Sequence, residues 1–199
     1  VVFPATMVRE RFCELTDMPR SKALVRPQGL LAPNRFKGRR DRARRELRAR
    51  LGLPEATAIV LAVGYADHRK GLDLFIEAGL RILDRRPDLA FVWVGHHDVD
   101  TFSKAQARLT ATGRGAAFLF PGLVEGSDLF FAGSDLYLMT SREDPFPLVV
   151  LDALEAELPV VGFQGAGGFT ELLARGCGVL VPYLDVAAMA DAADRLLTD

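Results

Sequence analysis

A chain of 199 residues, 49% of them hydrophobic, can bury a sizeable core and is long enough for one large domain or one and a half small ones. Its 25 Lys and Arg against 26 Asp and Glu give no reason to invoke a nucleic-acid groove or an acidic partner. Cys13 and Cys177 stand far apart and outside any ligand spacing. They argue against a disulfide framework or a zinc site, and a reducing cytoplasm is the simplest setting. No apolar run reaches the roughly 18 residues of a membrane span, and the opening VVFPATMVRERF lacks the basic start and long apolar centre of a signal peptide.

In chain order, Val1 to Ala5 reads as a short strand and Thr6 to Leu15 as a helix with Val8, Phe12 and Leu15 on one face. Ala23 to Arg26 reads as a further strand, closed by Pro27-Gln28-Gly29. Asn34 to Arg50 changes composition, with nine basic residues against Asp41 and Glu46 and a thin apolar stripe at Leu47 and Leu51. A solvated helix is the expected form, in preference to a contact with an anionic surface. The opening in mid-strand, without an initiator Met, and the close in mid-helix lead us to expect a piece of a longer protein.

From Ala58 the pattern is regular. Ile59 to Val63, Ala90 to Val94, Ala116 to Phe120, Asp135 to Met139, Pro159 to Phe163 and Gly178 to Val181 are short apolar runs, as strands buried on both faces would be. Between them Lys70 to Arg86, Val99 to Thr112, Ser127 to Ala132 and Phe169 to Ala174 read as helices, and Asp185 to Leu197 as a last one. Leu72, Phe75, Ile76, Gly79, Leu80 and Leu83 form the inward face of the first. Alternation of this kind predicts an α/β fold, a Rossmann-like doubly wound parallel sheet with helices on both faces. Its ligands belong outside the carboxyl ends of the strands, near the switch in strand order. Gly64, Gly95, Gly122 and the loop from Ser141 fall at those ends. There is no GxGxxG after the first buried strand, which disfavours an ordinary dinucleotide site.

The organising stretch is Ser141 to Glu157, SREDPFPLVVLDALEAE. Pro145 and Pro147 suit a helix start, where a missing N–H costs little. Asp144 and Asp152 stand eight residues apart, a little over two turns, and on one helix would share a face. The expected arrangement is an acid at the mouth of a helix, a second acid two turns in, and free backbone N–H groups that suit a phosphate. His96, His97 and Asp98 invite a metal reading, but adjacent histidines point different ways and no third ligand has the spacing, so no metal is expected. Gly165, Gly167 and Gly168 either wrap a phosphate or make a turn. Glu171 reads as a first-turn acid complementing its own helix. Trp93, Phe130 and Phe131 read as core.

The segments VGYADHRKGLDLFIEA, WVGHHD, FLFPGLVEGSDL, SREDPFPLVVLDAL, PVVGFQGAGGFTELL and GCGVLVP, in this order and spacing, resemble the C-terminal, donor-binding half of group 1 retaining glycosyltransferases of the GT-B fold. The resemblance runs from about Ile59 to Leu197. It implies that residues 1–34 are the tail of a preceding acceptor-side domain with its crossover, and that residues 35–199 are the nucleotide-sugar domain. The family carries two acids separated by seven residues, usually glutamates. Asp144 and Asp152 match them, the first meeting donor-sugar hydroxyls and the second the ribose. Glu143 is adjacent, but its spacing to Asp152 is one residue too long. Phe146, Pro147, Leu148 and Val149 would bring backbone to the sugar or diphosphate. Gly64 and Lys70 fit the family's glycine and diphosphate lysine. Tyr65 stands where an arginine is usual, and Arg69 is the candidate to compensate. Gly95, Gly122 and Leu123 lie where the family grips the nucleoside base.

The resemblance therefore implies transfer of a glycosyl group from a nucleoside diphosphate sugar with retention. Lys70 and Asp144 are the catalytic candidates, and no cofactor or obligatory metal is implied. The acceptor would be held by a missing N-terminal domain, so the chain alone should not turn over. It further implies a cytoplasmic site, with peripheral association at the inner membrane face open for a full-length protein. Two rivals stay open. One is another enzyme of this fold, an epimerase of nucleotide sugars or a phosphorylase. The other is a non-catalytic nucleotide-binding module, suggested by Tyr65 and the two aspartates.

Overall fold

Ile59, Val60 and Leu61 lie in a strand covered on both faces, which is why an unbroken apolar run sits there. The computed structural model describes residues 1–198. Among them, six parallel strands form one sheet: β3 (Ala58–Val63), β4 (Leu89–Val94), β5 (Phe118–Gly122), β6 (Leu136–Met139), β7 (Val160–Phe163) and β8 (Val179–Val181). The spatial order is β5-β4-β3-β6-β7-β8. The chain winds one way from β3 and the other way from β6, so the strand order reverses between these two neighbours. This is the doubly wound sheet that the alternation predicts.

The helices are α3 (Leu72–Leu83), α4 (Val99–Thr112), α5 (Asp128–Gly133), α6 (Leu148–Glu155), α7 (Thr170–Leu172) and α8 (Val186–Leu196), preceded by α2 (Arg40–Leu51). Helices α4 and α8 pack on α3 at one face, and α2 and α6 pack on α5 at the other. The inward stripe of α3 is buried as its spacing predicts. A Cβ on Gly79 would stand 2.7 Å from the Phe118 ring, so glycine there lets α3 lie close to a nest of Phe75, Phe91, Trp93 and Phe118. Trp93, Phe130 and Phe131 are core residues, as expected.

A smaller unit precedes the sheet. Strands β1 (Val2–Phe3) and β2 (Leu24–Val25) pair in parallel on either side of α1 (Thr6–Thr16), around Phe3, Cys13 and Ala23. Val8, Phe12 and Leu15 share one face of α1, as their spacing predicts, but that face lines a cleft rather than a core. Leu15 is 69% exposed, Phe12 is also exposed, and Cys13 is the buried residue of α1.

The basic stretch also departs from expectation. Its helix begins only at Arg40, because Asn34 to Gly38 forms a turn. It is not merely solvated. Arg48 is 3% exposed and donates to Thr57 O, Gly133 O and Asp135. Arg40 donates to the carbonyls of Ser134, Ala156 and Glu157 at the ends of α5 and α6. Arginine suits this work because its fork of donors can serve several orphan carbonyls at once. After α7 the chain makes a wide turn, Leu173–Cys177, in place of the rest of the expected helix.

Candidate functional site

The reversal of strand order brings together the loops after β3 and β6, residues 64–71 and 140–147. Four hydrogen bonds stitch them besides the one between Lys70 and Asp144. Arg142 N donates to Arg69 O at 2.8 Å, and Arg142 Nη1 to His68 O at 2.6 Å. Thr140 Oγ1 donates to Lys70 O at 3.1 Å, and Arg69 Nη1 to Glu143 O at 3.0 Å. Gly71 permits the approach: its φ is +75°, and a Cβ there would stand 2.2 Å from Thr140 O.

Within this seam lies the main polar feature. Lys70 runs over Gly64, where a Cβ would stand 3.3 Å from Lys70 Cε. Its Nζ donates to Asp144 Oδ2 at 2.5 Å, with the two side chains only 15% and 9% exposed. Arg69 places Nη1 3.8 Å from the same oxygen. Two cations thus face one carboxylate. Next to them in sequence, Pro147 is the N-cap of α6, and no side chain caps the free N–H groups there. A lysine ammonium, an arginine and a helix N-terminus are each suited to an anion.

The loop after β7 braces Asp144. Its N–H donates to Ala166 O at 2.7 Å, and Gly168 N to Pro145 O at 3.0 Å. Cβ atoms on Gly167 and Gly168 would meet Asp144 O at 1.8 Å and Pro145 O at 2.4 Å. These two glycines are therefore needed for backbone packing.

The expected placement of the two acids needs correction. Helix α6 starts at Leu148, so Asp152 lies just over one turn in and Asp144 lies outside the helix. The isolated bridge from Asp144 to Gly167 and the Gly168 N–Pro145 O hydrogen bond keep this segment a loop up to Pro147. Asp152 instead lines a cavity of about 30 Å³ beside Asn34, Asp128 and Glu155. Burial raises its pKa, and the charges of Asp128 and Glu155 add to the rise. The Tyr137 hydroxyl is buried. Its pKa is raised by burial first, against a Val63 backbone hydrogen bond, and then by the charges of Asp144 and Asp152.

The remaining candidates fall in the same row of strand ends. Gly64 N donates to Val94 O, and Gly95 N to Gly122 O, each at 2.9 Å. A Cβ on Gly95 would stand 2.2 Å from Gly64 O, so its place is set by packing between loops. Tyr65 and Leu123 are exposed apolar side chains along this edge. Phe146 is half-buried, while Pro147 is buried. His97 stacks on Phe102 with centroids 4.0 Å apart. Among the described residues, no three His, Cys, Asp or Glu side chains gather as metal ligands would.

Beside the pair opens a cleft of about 670 Å³. Arg69, Glu143 and Tyr183 line one wall, and Val8, Arg11 and Phe12 of α1 line the other. Glu171 ties the walls together, accepting from Thr6 Oγ1 and Met7 N. It stands in the first turn of its own short helix, as expected, and its side chain in addition caps α1, whose N-cap Ala5 has no side-chain cap. Neither this role nor that of Arg142 shows in the sequence, because each joins residues from distant segments.

The family described as "Glycosyl transferases group 1" matches residues 43–199. Alpha-D-kanosaminyltransferase of Streptomyces kanamyceticus is 32% identical over 178 residues, 85% of this chain and 44% of that protein. The lipopolysaccharide core biosynthesis mannosyltransferase LpsB of Rhizobium meliloti is 29% identical over 160 residues, 77% of this chain and 45% of that one. The chain thus spans less than half the length of these curated relatives. The Anabaena protein Alr3699/HepE, solved in complex with UDP, superposes on the whole chain with a TM-score of 0.86 at 21% identity, over 54% of its own chain. The glycosyltransferase WaaG, involved in lipopolysaccharide biosynthesis, gives 0.84, again at 21% identity and over 53% of its chain. The doubly wound sheet is that of the C-terminal half of GT-B enzymes, and the chain belongs to the group 1 glycosyltransferases.

Proposed function

We propose that this chain is the donor-binding half of a glycosyltransferase that moves a hexosyl group from a nucleoside diphosphate sugar to an acceptor, with retention at the anomeric carbon. The observation that carries the proposal is the Lys70–Asp144 pair with Arg69, set at the switch in strand order beside the uncapped start of α6. Lys70 has three donors and spends one on Asp144, leaving two for a diphosphate. As the bond from the anomeric carbon to the diphosphate breaks, negative charge grows on the leaving group. Lys70, Arg69 and the N–H groups at the start of α6 stabilise that charge. Asp144, held by the seam, accepts from sugar hydroxyls, and Asp152 from the ribose.

The acceptor side belongs to a part of the protein outside this chain, so the chain alone binds donor without turning it over. UDP and UDP-glucose in structures of the Anabaena protein support the ligand class. We assign the reaction to the cytoplasm, at the inner membrane face where the acceptor is a lipid. Among the described residues no helix is long and apolar enough to cross a membrane.

Thermal-shift measurements against uridine, guanosine and adenosine diphosphates and their sugars test this reading. A specific ligand at about 100 times its dissociation constant adds about 2.7 kcal/mol of apparent stability. A shift with one base and none with the others is expected. No shift with any of them would return the chain to the class of decayed binding modules.

A further inference from the structure

Arg142 stands two residues before Asp144, and it grips the opposite loop on both sides of Lys70. Its Nη1 donates to His68 O at 2.6 Å and to Asp73 Oδ1 at 2.9 Å, while Nη2 donates to Asp73 Oδ2 at 2.6 Å. His68 precedes Lys70 by two residues, and Asp73 follows it by three, in the first turn of α3. The pairing with Asp73 is bidentate, the geometry that fixes direction as well as distance. Arg142, 19% exposed, lines the cleft, as His68 does, while Asp73, 54% exposed, lies outside that lining. The Asp73 carboxylate neutralises Arg142, so the guanidinium adds little net field for an anion.

We propose that Arg142 is a positioning residue, which through Asp73 and His68 O sets where the Lys70 ammonium stands relative to Asp144 and to a bound diphosphate. The proposal rests on the reading of Lys70 as the diphosphate cation. The loop it braces needs a brace. Gly64 and Gly71 bound it at either end with positive φ angles, and the lysine stem is long and flexible. Removing the clamp leaves the ammonium on the same sheet but lets its loop wander, and small misplacement is costly at such sites.

The test has a ligand-free arm and a binding arm, each run on wild type, Arg142→Ala, Arg142→Lys, Asp73→Ala, Lys70→Ala and the double variant Lys70→Ala/Arg142→Ala. In the ligand-free arm, NMR follows the lysine ammonium signal that disappears in Lys70→Ala. Its protons should exchange slowly in wild type and much faster in Arg142→Ala and Asp73→Ala. An unchanged signal in both overturns the proposal. In the binding arm, the nucleoside diphosphate that wild type takes best is titrated beside its bare nucleoside.

Arg142→Ala and Asp73→Ala should weaken the diphosphate about tenfold and leave the nucleoside alone. Arg142→Lys, which keeps the charge without the fork, should recover only a minor part of the loss. Against Lys70→Ala, the added Arg142→Ala should cost nothing further. An undiminished loss in that background means that Arg142 touches the diphosphate itself. Equal loss for diphosphate and nucleoside means a plain structural role. Either result overturns the proposal. Should wild type bind none of the diphosphates, the functional reading falls, and the ligand-free arm still decides whether Arg142 holds the pair. Asp73→Ala guards against misfolding of the Arg142 variants, since an exposed carboxylate on a first turn is removed at small cost.

Discussion

Lys70 and Asp144 meet at 2.5 Å although 74 residues separate them in sequence. Each comes from the loop after one of the two strands between which the sheet reverses direction, so the fold itself brings them together. Burial makes the pair costly to break and places it where a charge-developing ligand would feel it without much screening.

The seam that carries the pair depends on close backbone approach at Gly71. Gly71→Ala should destabilise the chain by about 2–4 kcal/mol, from a residue forced to positive φ together with a clash against Thr140 O. Gly113 has a similar φ of +67° with nothing near it, and Gly113→Ala should cost only about 1 kcal/mol. Urea denaturation of both variants measures the difference. Equal losses would mean that the seam yields freely.

A second buried ion pair joins α2 to the sheet. Asp135 accepts from Arg48 at 2.7 Å and from Ile59 N at 2.8 Å, and its other oxygen lies 2.6 Å from Arg44. Asp135→Ala strands the Arg48 guanidinium and should cost about 3–5 kcal/mol. A loss under 1 kcal/mol in the same denaturation assay would show that Arg48 finds other partners.

Asp152 should trade stability for binding. Its pKa is raised, so the folded chain holds this proton more tightly than the unfolded chain does. Stability is therefore lost as pH rises from the ordinary value of 3.8 through the raised one, and the loss is complete above it. Asp152→Asn should raise the melting temperature at pH 7, and the gain should vanish below pH 3.8. The same change should weaken a nucleoside diphosphate, because a carboxylate is the better ribose acceptor. A melting temperature unchanged at neutral pH would contradict the assignment of strain to this carboxylate.

Asp144 should divide the ligand. Asp144→Ala is expected to abolish the affinity that the sugar adds to a nucleoside diphosphate, worth about 1.5–3 kcal/mol for hydrogen bonds to a charged acceptor, beyond any loss that the released Lys70 ammonium causes to both ligands. The exposed Glu143 is the control, and Glu143→Ala should leave both ligands alone. If Glu143→Ala shows the sugar-specific loss instead, the acid pair is out of register by one residue.

The sheet was legible because its strands are buried on both faces and so read as unbroken apolar runs, Ile59 to Val63 and Ala90 to Val94 above all. Lys70 and Asp144 were singled out by the family resemblance of their two loops. Their contact was not, since it depends on β3 lying beside β6. The start of α6 was misplaced by a few residues because Pro145 and Pro147 suit both an extended loop and a first helical turn. What chose the loop is the bridge to Gly167, made by a segment beyond the next strand. The arginines of α2 misled for a similar reason. A guanidinium at a helix surface looks solvated until the carbonyls of Gly133 and Ser134 arrive from elsewhere in the chain.

The most direct test of the central claim is a calorimetric titration of wild type and Lys70→Ala with a nucleoside diphosphate and with the bare nucleoside. If the Lys70 ammonium faces a diphosphate, the substitution removes a charge-assisted hydrogen bond worth about 1.5–3 kcal/mol, roughly ten- to a hundredfold in affinity. That loss should fall on the diphosphate alone, with the nucleoside bound as before. Equal loss for the two ligands, or none for either, would show that Lys70 serves only to neutralise Asp144 and that the site binds no diphosphate through it.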